Sequence, residues 1–263
     1  MTAPILVERE GRVATIVLNR AQALNTLDVP MMDALVDAAA DVARDDALRV
    51  VIVRGAGKHF MAGGDINTFA GMLEGSETER SDRFRRLITR LHSAIEAFHR
   101  MPHPVVGQVQ GAVAGFGLSL MNACDLVVAA DNAYFAAAYR AIGLTPDGGG
   151  SFALPRAVGV RRAMEIMLLN ERFSAEQALE WGLVNRVVPL ADLDTTVAAI
   201  ARSMVEGPVT AIRNTKRLLR ESLSRSLSEQ LDAEAKSFGE CASRPDFAEG
   251  IAAFLEKRPA KFE

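Results

Sequence analysis

Three glycine-rich segments carry the residues best suited to chemistry: Phe60-Met61-Ala62-Gly63-Gly64-Asp65-Ile66, Gly111-Ala112-Val113-Ala114-Gly115-Phe116-Gly117 and Thr145-Pro146-Asp147-Gly148-Gly149-Gly150-Ser151. Glycine lets a backbone approach a ligand closely and accepts dihedrals that other residues avoid. Two such loops could therefore aim peptide N–H groups at one carbonyl oxygen and stabilise charge developing on it. Taken singly, each loop reads as a turn. Pro146-Asp147-Gly148 is a favoured turn sequence, and Asp is a favoured helix N-cap, so Asp147 alone fits a structural role. Phe116 alone reads as a core aromatic at a helix start.

Other chemistries fail on spacing. Gly115-Phe116-Gly117-Leu118-Ser119-Leu120 follows a predicted strand and opens a helix, but Leu120 replaces the third glycine of a dinucleotide fingerprint. Gly117-Leu118-Ser119-Leu120-Met121 lacks the second glycine of a nucleophile elbow. Gly55-Ala56-Gly57-Lys58-His59 has neither the length of a phosphate-binding loop nor a Ser or Thr after the lysine. Of the four histidines, His59, His92, His99 and His103, only the last two are spaced as on one helix face, and Pro102 and Pro104 break that helix. No metal site is expected. The arginines at 80, 83, 85, 86 and 90 invite an anion-binding reading, but Glu77, Glu79 and Asp82 among them favour a solvated, ion-paired face.

The elements that must hold these loops alternate. Ile5 to Arg9 and Arg12 to Leu18 read as a hairpin about Glu10-Gly11. Met32, Leu35, Val36, Ala39, Val42 and Ala43 recur at helical spacing, and Val50 to Val53 is a short buried strand. A charged helix from about Glu77 to Arg100, a strand at Val105 to Val109, an apolar helix at Phe116 to Ala123 and a strand at Leu126 to Ala129 continue the pattern. This predicts an α/β protein whose mainly parallel sheet is covered on both faces. After about Ala191 only helices follow, at roughly 191–205, 208–222, 227–241 and 245–257. Residues 1–195 are accordingly read as the core and 196–263 as a helical C-terminal region.

The 263 residues carry 30 Lys and Arg against 33 Asp and Glu, a net charge of −3, with no basic footprint for nucleic acid. No run of apolar residues is long enough for a membrane helix, and the first ten residues do not read as a signal peptide, so a cytoplasmic protein is expected. Cys124 and Cys241 imply neither a disulfide framework nor a metal cluster.

In this order the three glycine segments resemble the crotonase superfamily, the enoyl-CoA hydratase and isomerase family, over nearly the whole chain. Supporting stretches are Asn19-Arg20-Ala21-Gln22-Ala23-Leu24-Asn25, Ala123-Cys124-Asp125-Leu126, Leu154-Pro155-Arg156-Ala157-Val158-Gly159, Ala178-Leu179-Glu180-Trp181-Gly182-Leu183-Val184 and Phe254-Leu255-Glu256-Lys257-Arg258. The resemblance implies a spiral of ββα units with a helical C-terminal region that builds homotrimers or dimers of trimers. It also implies a coenzyme A thioester as substrate, with no separate cofactor. It assigns the oxyanion-hole donors to the amides of Gly64 and Phe116. Ala23, Leu24, Ala62, Gly63, Asp65, Ile66 and Gly115 then belong to the surface lining the substrate and its CoA moiety. Arg20, Gln22 and the Lys257 of an adjacent subunit are candidates for phosphate. Phe116, Tyr139 and the segment from Phe69 to Glu79 are candidates for the acyl pocket.

Hydratases of this family use two glutamates to activate one water. Here those positions resemble Ser119 and Tyr139, neither a general base at its ordinary pKa. The carboxylate at a position matching the family's isomerases is Asp147, and one carboxylate suffices to move a double bond. The pattern around Asp147 is most like the branch that isomerises ring-epoxidised phenylacetyl-CoA. The expectation is an isomerase with Asp147 as acid and base. The alternatives are a hydratase or hydrolase of the same family, and a non-catalytic acyl-CoA binding protein.

Overall fold

A computed structural model of the chain describes residues 3–262. Its first two strands, β1 (Ile5–Glu10) and β2 (Val13–Leu18), form the expected antiparallel hairpin, with Ile5 opposite Leu18 and Gly11 in the left-handed region at the turn. The chain then alternates as read: α1 (Val29–Arg44), β3 (Val50–Gly55), α2 (Ile66–Ala70), α3 (Glu77–Arg100), β4 (Val105–Val109), β5 (Ala112–Ala114), α4 (Phe116–Ala123) and β6 (Leu126–Ala130). After these come β7 (Tyr134–Ala136), α5 (Gly150–Leu169), β8 (Phe173–Ser174), α6 (Ala175–Glu180) and β9 (Arg186–Val188). The chain finishes on α7 (Leu193–Glu206), α8 (Val209–Glu221), α9 (Leu227–Ala242) and α10 (Pro245–Glu256).

The larger sheet has the order β1-β2-β3-β4-β6-β9, and every pairing after the first hairpin is parallel. Successive side chains of a strand point to opposite faces, and β3 shows the result. Val51 and Val53 join a core with Ile16 and Leu18 of β2, Met31, Leu35 and Val42 of α1 and Leu91 and Phe98 of α3. Val50 and Ile52 face the other way, onto Val106, Val128 and the Leu193, Val197 and Ala201 stripe of α7. The boundary read at residue 195 falls inside α7, which is the cover of this second face; the helices that follow stand outside it. A smaller sheet, β5-β7-β8, lies beside the first. Its strands are two or three residues long, too short to give the alternation by which the longer strands were found.

The helices are stopped and started by side chains. Asp28 caps α1 by accepting from the Met31 amide, and Ser76 with Glu79, Ser174 with Gln177 and Ser226 with Glu229 form reciprocal capping boxes. The α5 helix contains Pro155 and is kinked at Gly159, whose φ of 77° no helical residue adopts.

A half-buried charge cluster ties the C-terminal helices to this core. The Asp125 carboxylate, at the start of β6, accepts from Lys216 Nζ at 2.7 Å, from Arg220 Nη2 at 2.7 Å and from the Val105 amide at 2.8 Å. Lys216 also donates to the His103 carbonyl at 2.7 Å, and its ammonium pKa is lowered by burial. Removing one partner of such a cluster leaves an uncompensated buried charge. Asp125→Ala should therefore cost about 3–5 kcal/mol of folding free energy, read as a fall in the urea unfolding midpoint.

Candidate active site

The first glycine loop is pinned from both edges. The Leu27 amide donates to the Gly63 carbonyl at 2.8 Å and the Asp65 amide to the Leu27 carbonyl at 3.0 Å, a parallel bridge that pairs Leu27 with Gly64. In a parallel bridge the paired residue's own N–H points to the opposite edge. That edge belongs to the second loop, because Met61 bonds to Ala112 and Ala114 of β5 there. The Gly64 amide is thus turned toward the end of β5, where Gly115 caps α4.

Phe116 is the first residue of α4, and the amides of a first helical turn have no partner within the helix. Neither the Gly64 nor the Phe116 amide has a hydrogen-bond partner among the described residues. The two loops meet backbone to backbone. A methyl on Gly115 would lie 3.4 Å from the Gly63 Cα, one on Gly63 3.2 Å from the Ala114 carbonyl oxygen, and one on Gly117 only 2.4 Å from the Met61 carbonyl oxygen. Gly63 and Gly115 also have φ of 95° and 53°, which L side chains disfavour. Two free N–H groups converging at a helix N-terminus make a site for negative charge on oxygen.

The third loop packs onto the second. A methyl on Gly148 would fall 2.7 Å from the Phe116 ring and 2.9 Å from the Ser119 Cβ, and one on Gly150 2.7 Å from the Ser119 hydroxyl. The glycine run thereby presses Asp147 against the residues around the two amides. Its Oδ1 accepts from the Tyr139 hydroxyl at 2.6 Å. The Tyr139 and Ser119 hydroxyls are 3.0 Å apart, and Ser119 donates to the Asp147 carbonyl at 2.8 Å. From α3, His92 Nε2 accepts from the Gly148 amide at 3.2 Å. Burial raises the Asp147 pKa above the ordinary carboxylate range, opposed by the Tyr139 hydrogen bond and by His92. Burial and the Asp147 carboxylate both raise the Tyr139 phenol.

The structure joins Gly63, Gly64, Gly115, Phe116, Ser119, Tyr139 and Asp147 in one constellation. The Ala62 amide donates to the Leu24 carbonyl at 3.1 Å, so the strip holding Ala23 and Leu24 edges the first loop. Leu24 and Gln22 face solvent. Arg20 does not: its guanidinium pairs with Asp28 and Asp65, both at 3.1 Å, and donates to the Thr26 carbonyl. It braces the loop, and Asp65 in turn caps α2 through the Asn67 and Thr68 amides. Burial would raise the Asp65 pKa, but the Thr68 amide and Arg20 outweigh it and the net shift is downward. Lys257 caps α10, which packs on α9, and its side chain makes no hydrogen bond to the site among the described residues. Among the arginines of α3, Arg85 pairs with Asp82 and Arg90 with Asp33, as an ion-paired face would. Arg83 instead holds the Met72 and Glu74 carbonyls.

Two residues of the site had no role in the sequence reading. His92, with Ile95 three residues on, forms the face of α3 that meets Gly148 and Gly149. Asn25, fully buried with φ of 55°, donates to the carbonyls of Ala56, His59 and Phe60 and accepts from the Arg20 amide, locking the first loop's approach. Among the described residues no group of three or more His, Cys, Asp or Glu is placed to hold a metal ion, and no helix is long and apolar enough to cross a membrane.

Comparison with known proteins places this geometry. The sequence profile described as enoyl-CoA hydratase/isomerase matches residues 8–263. The 1,2-epoxyphenylacetyl-CoA isomerase of Escherichia coli K12 is 35% identical over 259 residues, covering 98% of this chain and 97% of that protein. The crotonyl-CoA hydratase of Syntrophomonas wolfei is 34% identical over 259 residues, covering 98% and 97%. The crystal structure of an enoyl-CoA hydratase from Polaromonas sp. JS666 superposes with a TM-score of 0.91 at 33% identity, covering 98% of this chain and 99% of that one. The chain belongs to the enoyl-CoA hydratase/isomerase family, within the crotonase superfamily, whose members act on acyl-CoA thioesters.

Because Gly148 has φ of 55° and no room for a methyl, Gly148→Ala should displace Asp147 from the two amides. Misplacement of a reacting group by about 1 Å costs about 10²-fold. The expected result is that loss in kcat with acyl-CoA binding retained, measured by steady-state kinetics and calorimetric titration.

Proposed function

We propose that the protein is an enoyl-CoA isomerase that uses Asp147 as its acid and base. The thioester oxygen accepts from the Gly64 and Phe116 amides. Asp147 removes a proton from C2 of a 3-enoyl-CoA, the electron pair moves onto the thioester oxygen as a dienolate, and the same carboxyl returns the proton to C4 to give the 2-enoyl product. Each amide of such a pair is typically worth about 2.7–4 kcal/mol toward the charged intermediate, and a well-placed base about 10²–10⁴-fold in rate. Isomerisation of a ring-epoxidised aryl-acetyl thioester draws on the same enolate stabilisation.

The observation that carries this reading is the fate of the two hydroxyls. Ser119 and Tyr139 stand where a hydratase has carboxylates, and both are bonded to Asp147. That leaves one carboxylate to move one proton. A hydratase reading draws its support from relatives such as the crotonyl-CoA hydratase, and a pure binding protein would keep the amides and lose turnover. Product mass separates all three. Incubated separately with a straight-chain 3-enoyl-CoA and with its 2-enoyl isomer, the protein should interconvert the two at unchanged mass; addition of 18 mass units of water to the 2-enoyl thioester would establish the hydratase instead, and binding of both without turnover the binding protein. Asp147→Asn should lower kcat by about 10²–10⁴-fold and keep acyl-CoA affinity.

A cavity of about 550 Å³ beside Gly64 is lined by Ile66, Phe69, Leu73, Phe84, Ile142 and Leu144. The Phe69 ring packs directly on Gly64, where a methyl would lie 2.5 Å from its Cζ, so the cavity adjoins the oxyanion site. We read it as the acyl pocket. Each methylene buried there is worth about 0.8 kcal/mol, so kcat/KM should rise by at least about tenfold from a four-carbon to an eight-carbon 3-enoyl thioester. The exposed apolar residues Leu227 and Phe238 of α9 and Phe254 and Leu255 of α10 support assembly into trimers or dimers of trimers.

A further inference from the structure

We propose that Tyr139 is the positioning residue of the base: its hydroxyl proton is shared between two acceptors, Asp147 Oδ1 and Ser119 Oγ, so that Oδ1 is held and Oδ2 is the oxygen that carries the substrate proton. This rests on the reading of Asp147 as the base. The argument is a count of protons. Three contacts join the cluster: Tyr139 hydroxyl to Asp147 Oδ1 at 2.6 Å, Tyr139 to Ser119 at 3.0 Å, and Ser119 to the Asp147 carbonyl at 2.8 Å. With the carboxylate ionised, two hydroxyl protons serve these three contacts, and one contact is always left without a proton. The Asp147 carbonyl can only accept, so the Ser119 proton satisfies it. The Tyr139 proton then chooses between a carboxylate and a serine oxygen.

That choice depends on the state of Asp147. A hydrogen bond to an ionised oxygen is about twice as strong as one between neutral groups, so Tyr139 donates to Oδ1 while the carboxylate waits for substrate. Once Oδ2 has taken the proton from C2, Oδ1 is a weaker acceptor, and Ser119 Oγ stands ready for the Tyr139 proton. The O–H rotates about its C–O bond; no heavy atom moves. Tyr139 is 8% exposed and Ser119 2%, so water does not compete for either oxygen. Tyr139 holds the ionised carboxylate by Oδ1 and Ser119 holds the Asp147 main chain, and the alternative acceptor keeps the tyrosine proton satisfied in either state. The charged and titratable groups facing Asp147 are Tyr139 from the turn at 139–142 and His92 from α3. Ser119 on α4 and the Phe116 ring complete the enclosure.

The two hydroxyls consequently have opposite effects. Tyr139→Phe removes a donor that favours the ionised form, so the acidic limb of the kcat profile should move to higher pH by about one to two units. KM should stay within about twofold and the plateau kcat should fall about tenfold as the carboxyl loses its fixed plane. Ser119→Ala removes the competing acceptor and commits Tyr139 to Asp147, so that limb should move to lower pH. His92 is present in both variants and cannot produce shifts of opposite sign. A purely structural role would move both limbs the same way or neither, and either result overturns the inference. The chain has only two tyrosines. In a Tyr134→Phe background, replacing tyrosine by 3-fluorotyrosine makes the Tyr139 hydroxyl a stronger donor and should lower the limb, a test that does not depend on Tyr139→Phe folding; an unmoved limb overturns the proposal. Asp147→Asn run alongside distinguishes the failures: full turnover in that variant removes the base itself, whereas loss of turnover with unmoved Tyr139 and Ser119 profiles removes only the positioning role.

Discussion

The site depends on backbone packed against backbone with no side chain between. Gly117 lies where a methyl would collide with the Met61 carbonyl, Gly63 lies tight against the Ala114 carbonyl, and the third loop closes over this junction with Gly148 against the Phe116 ring. Parallel strands deliver these loops to one place, since β5 runs beside the Phe60 to Gly64 segment and α4 starts where β5 ends. Only glycine lets the approach continue until the first two loops meet main chain to main chain. Asn25 and the Arg20 pairs hold the first loop from behind. The functional geometry is thus an outcome of tertiary closure, with the side chains around it acting as braces.

The chain half-buries two carboxylates near one another in sequence and treats them differently. Asp125 meets a lysine, an arginine and a backbone amide, so its charge is compensated and it serves to fasten α8 to the start of β6. Asp147 meets one phenol on one oxygen, and burial raises its pKa. A carboxylate with all its lone pairs engaged is a fastener; one with an oxygen left open in an apolar wall is poised to take a proton. The difference in partners, more than any difference in burial, separates the structural acid from the proposed base.

Much of this was legible in the residues. The hairpin stands in the structure with its strand ends shifted by one residue, and the charged helix over Glu77–Arg100 and the apolar helix over Phe116–Ala123 stand with the bounds their patterns give. The glycine loops and Asp147 stood out because turn chemistry and catalytic chemistry use the same residues. What periodicity could not carry was anything set by distant contacts. The three short strands of the second sheet have no room to alternate, and α5 holds Pro155 and a Gly159 kink that break its helical signal. Arg20 looked like a phosphate ligand because its carboxylate partners lie 8 and 45 residues on in the sequence. His92 looked like any histidine on a solvated helix until Gly148 was brought to it. Tyr139 was legible as a departure from a glutamate, but its bond to Asp147 exists only once the third loop folds over the second.

The division of labour between main chain and side chains bears on how such a protein changes over generations. The proposed oxyanion donors are peptide groups, present whatever codon stands at positions 64 and 116, and they vanish only if the backbone moves. The proposed acid–base apparatus at 119, 139 and 147 is made of side-chain oxygens, each open to replacement by a single amino-acid exchange. Drift can therefore rewrite where protons go while the ability to hold an enolate persists, and an ancestral pocket of this kind could give rise to new reactions without first losing its grip on the old intermediate.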